Sequence, residues 1–225
     1  MDIDKLLTDG LAQLAIKADE TVINNFETYL HELKKWNKAY NLTSLVSDKD
    51  IVVKHFLDSL LYLKAFPSNP PTPPLSKGGK GGLQVCDAGS GAGFPGLPIA
   101  IVRPEISITL VEPTRKKCAF LRNIKRVLGL DNVVVLESRI EDLKDTQFDI
   151  VMTRALFDTA AFVKTAGRLV TDDGCLLLSK GPKFEEELKS LPKSVRYEVI
   201  TVPLPTTSID RNLIRIYPQA TIKHA

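Results

Sequence analysis

The residues best suited to chemistry form one short stretch, Asp87-Ala88-Gly89-Ser90-Gly91-Ala92-Gly93-Phe94-Pro95-Gly96, joined by an acid farther along, Glu112. Glycine lets a backbone turn sharply and lets a ligand approach main-chain atoms with no Cβ in the way. Pro95 suits the first turn of a following helix, where no amide donor is needed. Glu112 stands twenty-three residues after Gly89, near the spacing at which a carboxylate meets a ribose diol. The pattern describes a nucleoside site; its bland alternative is a glycine-rich turn with a surface glutamate. Two ligand classes compete. A dinucleotide site reads GxGxxG, but counted from Gly89 its third position is Phe94, and counted from Gly91 the turn is interrupted by Pro95 before Gly96. The form Asp-x-Gly-x-Gly-x-Gly fits better and is associated with S-adenosylmethionine, which has no phosphate to seat on a helix N-terminus. A nicotinamide-dependent oxidoreductase stays open as the alternative, disfavoured by Phe94 and by the lack of a clear proton-relay residue.

Such a turn needs a strand before it and a helix after it. Short apolar runs at 83–87, 107–112, 133–137, 148–153 and 174–180 are followed by helical segments at 95–103, 116–128, 158–169 and 184–190, the third and fourth runs sharing one helix. Strand-then-helix repeats of this length imply an α/β fold with a mostly parallel sheet covered on both faces. Runs at 197–202 and 212–217 have no helix between them and predict an antiparallel ending. The glycine turn and Glu112 then stand at the carboxyl ends of the first two strands, where open α/β sheets take ligands.

Ahead of the sheet, Phe26, Leu30, Leu33 and Trp36 or Asn37 form one helical stripe. Ser47-Asp48-Lys49-Asp50 has the Ser-x-x-acid form of a helix start leading into 51–65. In residues 67–82, nine of sixteen are Pro or Gly, which predicts an exposed linker or insertion. The expected organisation is a helical extension at 1–66, the linker at 67–82 and an α/β domain at 83–225. The extension holds eight lysines and ten acids, a net of −2; the α/β domain holds twenty basic and seventeen acidic residues, a net of +3.

At 225 residues and net +3, overall charge alone names no nucleic-acid partner. Cys86, Cys118 and Cys175 lie far apart with no CxxC pair, so neither a disulfide framework nor a metal site is expected. No apolar run approaches the ~20 residues of a membrane span, and the acidic start, Met1-Asp2-Ile3-Asp4, is unlike a signal peptide. The expectation is a soluble cytoplasmic protein, monomeric, without membrane or metal.

Five blocks carry a family resemblance: residues 36–43 (WNKAYNLT), 54–60 (KHFLDSL), 87–100 (DAGSGAGFPGLPIA), Phe148-Asp149-Ile150-Val151 with Arg154-Ala155, and Ser179-Lys180-Gly181. In order, across nearly the whole chain, the sequence resembles the bacterial small-subunit ribosomal RNA methyltransferase G family, also called glucose-inhibited division protein B. The resemblance implies a class I S-adenosylmethionine-dependent methyltransferase (Rossmann-like) fold with an N-terminal helical extension. It implies methyl transfer to ring nitrogen 7 of a guanine in 16S rRNA, on naked RNA or the small ribosomal subunit. It also implies that Gly89, Gly91 and Phe94 meet the cofactor, that Glu112, Pro113 and Thr114 hold the ribose, that Ile140 and Glu141 flank the adenine, and that Arg154 sits at the cofactor's edge. On residue type alone, Arg154 is equally an ion-pair partner and Glu141 a helix-start charge. The Pro/Gly segment departs from the compact connection usual in the family.

Methylation at that nitrogen uses a lone pair already present, so no catalytic base is assigned. Aligning nucleophile, methyl carbon and sulfur can supply ~7–11 kcal/mol. His55 is read as a hydrogen-bonded packing residue. RNA contact is expected from the stretch between Arg115 and Arg126, with six basic residues and no acid. On a helical wheel Arg115, Arg122, Lys125 and Arg126 oppose the apolar side, although a plain solvated face has the same pattern. Lys180, Arg211 and Arg215 add charge near the sheet end, and Trp36 and Tyr40 are candidate stacking groups. RNA loops offer unstacked bases, so a pocket for an extruded guanine is expected. A noncatalytic RNA-binding assembly factor is the remaining alternative; it requires a spoiled cofactor turn.

Overall fold

The computed structural model describes residues 2–67, 82–154, 158–181 and 184–218; most of the Pro/Gly segment, and Ala155, lie outside the described residues. Helix α1 (Ile3–Gln13) starts where Asp2 accepts from the amides of Asp4 and Lys5. Sequence reasoning missed this helix, although the cap followed by Leu7, Leu11 and Leu14 was its signal. Helix α2 (Glu20–Tyr40), capped by Asp19, buries the expected stripe and Tyr29 with it, and ends at Asn41 in the left-handed region. Ser47 caps α3 (Asp48–Ile51), as expected. The helical run to residue 65 changes pitch, passing through a π turn (Val52–Leu57), α4 (Asp58–Leu60) and a 3-10 turn (Leu61–Ala65). Such wide turns recur at functional sites, and this one carries His55.

The α/β part runs β1 (Gln84–Ala88), α5 (Gly96–Val102), β2 (Ser107–Val111), α6 (Arg115–Leu128), β3 (Val133–Leu136), a 3-10 turn (Ile140–Asp142) and β4 (Phe148–Arg154). It continues through α7 (Thr159–Ala166), a 3-10 turn (Gly167–Leu169), β5 (Val170–Lys180), α8 (Phe184–Leu188), β6 (Arg196–Pro203) and β7 (Asp210–Tyr217). The seven strands are ordered β3-β2-β1-β4-β5-β7-β6. β1 to β5 are parallel, and β7 is inserted antiparallel between β5 and β6. β5 starts four residues before its expected start at 174, because the exposed Asp172 and Asp173 hide its first turn of apolar pattern.

Neighbouring strand residues serve opposite faces: Val85 joins one core cluster and Cys86 the other. That double burial is what a parallel sheet covered on both sides requires. One cluster lies under α7 and α8. The other is shared by α1, α2, the 51–65 run, α5, α6 and the opposite sheet face. The extension therefore contributes to the sheet's own core, with Phe26, Tyr29 and Phe56 fully buried.

Candidate cofactor cleft and its helical wall

The glycine turn is held from several sides. Gly89 and Ser90 donate to the Val111 carbonyl at 2.8 and 3.1 Å. The Tyr29 hydroxyl of α2 donates to the Ala92 carbonyl at 2.5 Å. Asp87 accepts the Gly96 amide at 2.9 Å, and a Cβ on Gly96 would lie 2.4 Å from the Leu110 side chain. Gly96 is thus the close-packing glycine that lets α5 lie against β2. Burial pushes the Asp87 carboxyl up to about 7, opposed in part by the Gly96 amide and Arg154. Its Oδ1 has no hydrogen-bond partner among the described residues.

Glu112 is buried beside this turn. Its Oε2 accepts the Gly91 amide and its Oε1 the Thr114 amide, each at 2.9 Å. A carboxylate has about four acceptor positions, so two amides leave room for both hydroxyls of a ribose. Gly91, at φ +59, has only backbone 3.9 Å from the place of a Cβ, so the turn presents bare main chain. These residues fit a nucleoside-bearing sulfonium cofactor: Glu112 would hold the sugar and residues 89–91 would underlie the rest. Pro113 and Thr114 are exposed next to Glu112. Ile140 is buried in the core under Ala88 and Val111, while Glu141 borders a separate hollow with Lys164 and Arg168.

A cavity of about 150 Å³ opens on the turn, lined by residues 89–92 and Phe94, by Arg154 at the end of β4, and by Leu42, Thr43 and His55 of the helical extension. Sequence reasoning set Gly89, Gly91, Phe94 and Arg154 here; Leu42, Thr43, Ser90 and Ala92 went unassigned. His55 stacks on Phe94 with centroids 4.4 Å apart. Arg154 also lies over the Phe94 ring, its guanidinium carbon 5.1 Å from the centroid, and its Nη2 is 2.9 Å from His55 Nδ1. The same Nδ1 lies 3.2 Å from the Lys54 carbonyl, which can only accept, whereas a guanidinium can only donate. The shorter Arg154 contact favours the tautomer with its proton on Nε2, which then donates to Thr43 Oγ1 at 2.7 Å. Burial, then the Arg154 charge, holds the His55 pKa down at about 3. Asn37 braces the loop by bonding both the amide and the carbonyl of Thr43 at 2.9 Å.

Asp58 is buried between two arginines, 2.6 Å from Arg211 Nε and 3.6 Å from Arg154 Nη1. Arg211, expected on RNA, is tied to this acid. Lys180 likewise meets Glu187 at 2.7 Å, and Arg215 meets Glu198 at 2.5 Å. On α6, Arg122 pairs with Glu137 and Arg126 donates to Asn123; Lys125 is half-buried and Arg115 exposed. The expected basic face exists, with much of its charge locally engaged.

A family model described as GidB, rRNA small subunit methyltransferase G, matches residues 22–214. The chain belongs to this family. Its curated relatives include the ribosomal RNA small subunit methyltransferase G of Chromobacterium violaceum, 38% identical over 95% of this chain and 97% of that one. The protein of the same name from Francisella philomiragia is 37% identical over 92% and 94%. Among solved structures, TrmN from Thermus thermophilus aligns with a TM-score of 0.53 at 16% identity, over 82% of this chain and 52% of that one. A SAM-dependent methyltransferase from Aquifex aeolicus gives 0.53 at 18%, over 75% and 93%. These two likenesses concern the fold alone, and that fold is the class I methyltransferase sheet. The protein is an S-adenosylmethionine-dependent methyltransferase of small-subunit (16S) ribosomal RNA, which sets aside the nicotinamide and noncatalytic alternatives. Among the described residues, no helix is long and apolar enough to cross a membrane.

Proposed function

We propose that the enzyme methylates ring nitrogen 7 of a guanine, acting as a cytoplasmic monomer on 16S RNA or the small subunit. One observation carries this choice of atom. His55 is the one imidazole or carboxyl among the described residues lining the cavity, and both of its nitrogens are engaged. A nucleophile that must first lose a proton is poorly served here; ring nitrogen 7 has a free lone pair and needs none. S-adenosylmethionine, when bound, supplies the activated methyl group. In this proposal Glu112, with Pro113 and Thr114, grips the ribose, residues 89–91 and Phe94 shape the floor, Arg154 holds the edge, and Ile140 closes the adenine side, while Glu141, on its separate hollow, has no part. Positive charge grows on the guanine during transfer, and Asp58, shared between Arg154 and Arg211, partly offsets Arg154 at the cleft. Thr43 Oγ1 already accepts from His55 and from the Leu45 amide at 3.1 Å, leaving its own proton for the substrate.

The test is transfer from labelled cofactor to naked 16S RNA, to small subunits and to large-subunit RNA, followed by aniline cleavage at 7-methylguanine. Label confined to the small-subunit substrates, with cleavage at one guanine, is expected. Label that resists aniline cleavage overturns the choice of nitrogen.

A further inference from the structure

Helices α2 and α6 meet at three successive levels: Asn123 donates to Glu32 at 2.9 Å, Trp36 packs on Phe120 with centroids 5.6 Å apart, and Lys116 Nζ lies 5.7 Å from the centre of the Tyr40 ring. The pairs descend along α6 as they climb α2, so the helices are antiparallel and the third level is the end of the seam. That end is open. Tyr40 is 43% exposed, and Lys116, which meets its ring, and Arg115 beside it in the first turn of α6 are exposed. No carboxylate pairs with these two cations among the described residues. The first turn of α6 has no acid, so its cations oppose the helix macrodipole and contribute nothing to helix stability. The chain passes from Tyr40 directly to Leu42 and Thr43 in the cleft wall, and Glu112 lies just ahead of Arg115. The seam's open end is therefore the cleft's rim.

We infer that this rim holds a single-stranded stretch of rRNA beside the target guanine: one base stacks on Tyr40, while Lys116 leaves the ring for a phosphate that Arg115 also faces. An exposed aromatic ringed by cations is what sequence-tolerant single-strand binding uses. The inference rests on the proposed RNA methylation and adds the path of the substrate. The outer α6 cations are poorer candidates, since Arg122 and Arg126 already have partners.

The test uses the full chain with unmethylated small subunits and with a 16S transcript, reading affinity, its salt dependence and the fluorescence of Trp36, 5.5 Å from Tyr40. Tyr40→Ala is expected to weaken RNA binding about tenfold to a hundredfold, and Tyr40→Phe to restore it. Lys116→Ala should lower the log–log salt slope by about 0.7. Arg103→Ala removes one charge between α5 and β2, at the end of the sheet away from the cleft, and should leave affinity nearly unchanged. Both rim positions are exposed, so the variants should keep their melting temperature and cofactor affinity. If the parent methylates its RNA while Tyr40→Ala and Lys116→Ala bind it as the parent does, the rim is wrong and the function stands. A parent that methylates no small-subunit RNA overturns both.

Discussion

On the sheet side, the cleft is lined by the glycine turn, residues 89–92, with Phe94 and Arg154; on the helical side it is lined by Leu42, Thr43 and His55. The first side is fixed by local geometry, with left-handed glycines and two amides on Glu112. The second is fixed by partners far away in the chain, Arg154 for His55 and Asn37 for Thr43. Backbone can recognise a cofactor's invariant shape, whereas a side-chain wall can be altered to suit a particular base without disturbing the turn.

Three substitutions test that division, the first two in order of expected effect, larger first. Gly89 has φ +74, a conformation a branched residue does not tolerate. Gly89→Val should abolish cofactor binding by calorimetry while circular dichroism retains the fold; unchanged affinity would mean the turn has another job. Asp58→Ala strikes the other wall by leaving Arg154 and Arg211 without their shared acid. Because both arginines are partly exposed, about 2 kcal/mol is expected, a melting temperature about 4–8 °C lower, with cofactor affinity moved far less. Equal stability in the variant would show that Asp58 does not hold the helical wall together.

The third substitution, at Asp87, is read as a pH dependence and not as a loss at one pH. Its folded pKa, raised from 3.8 to about 7, means the native state keeps a proton the unfolded chain gives up. The protonated group's contribution is thus fully present below about 3.8 and is lost as pH rises through about 7. Melting curves of the parent measured against Asp87→Asn should show the parent gaining relative stability as pH falls from 7 towards 4. A pH-independent difference would place the Asp87 proton elsewhere.

The sheet wall could be read from sequence because its chemistry is contiguous: ten residues from Asp87 to Gly96 and an acid one strand later. Strand and helix alternation was equally plain, since each element carries its own periodicity. The helical wall was not readable in the same way. Residues 36–43 and 54–60 carried the family resemblance, yet nothing local places Thr43 beside His55 or His55 against Phe94; only the packed core does. Arg211 shows the converse limit. Its charge suggested a surface role, while its structural partner, Asp58, is 153 residues away. Helix α1 was legible in the same way as the other helices, from the Asp2 cap and the Leu7, Leu11 and Leu14 stripe, and was overlooked.

Tyr29 and Tyr62 tie the amino-terminal helices to Ala92, Thr153 and Ser179, across separations of 63, 91 and 117 residues. During synthesis those helices leave the ribosome long before the strands they cover have been translated. The last of these partners, the Ser179 amide on Tyr62, becomes available only when β5 has emerged, so the join between helices and sheet is completed late.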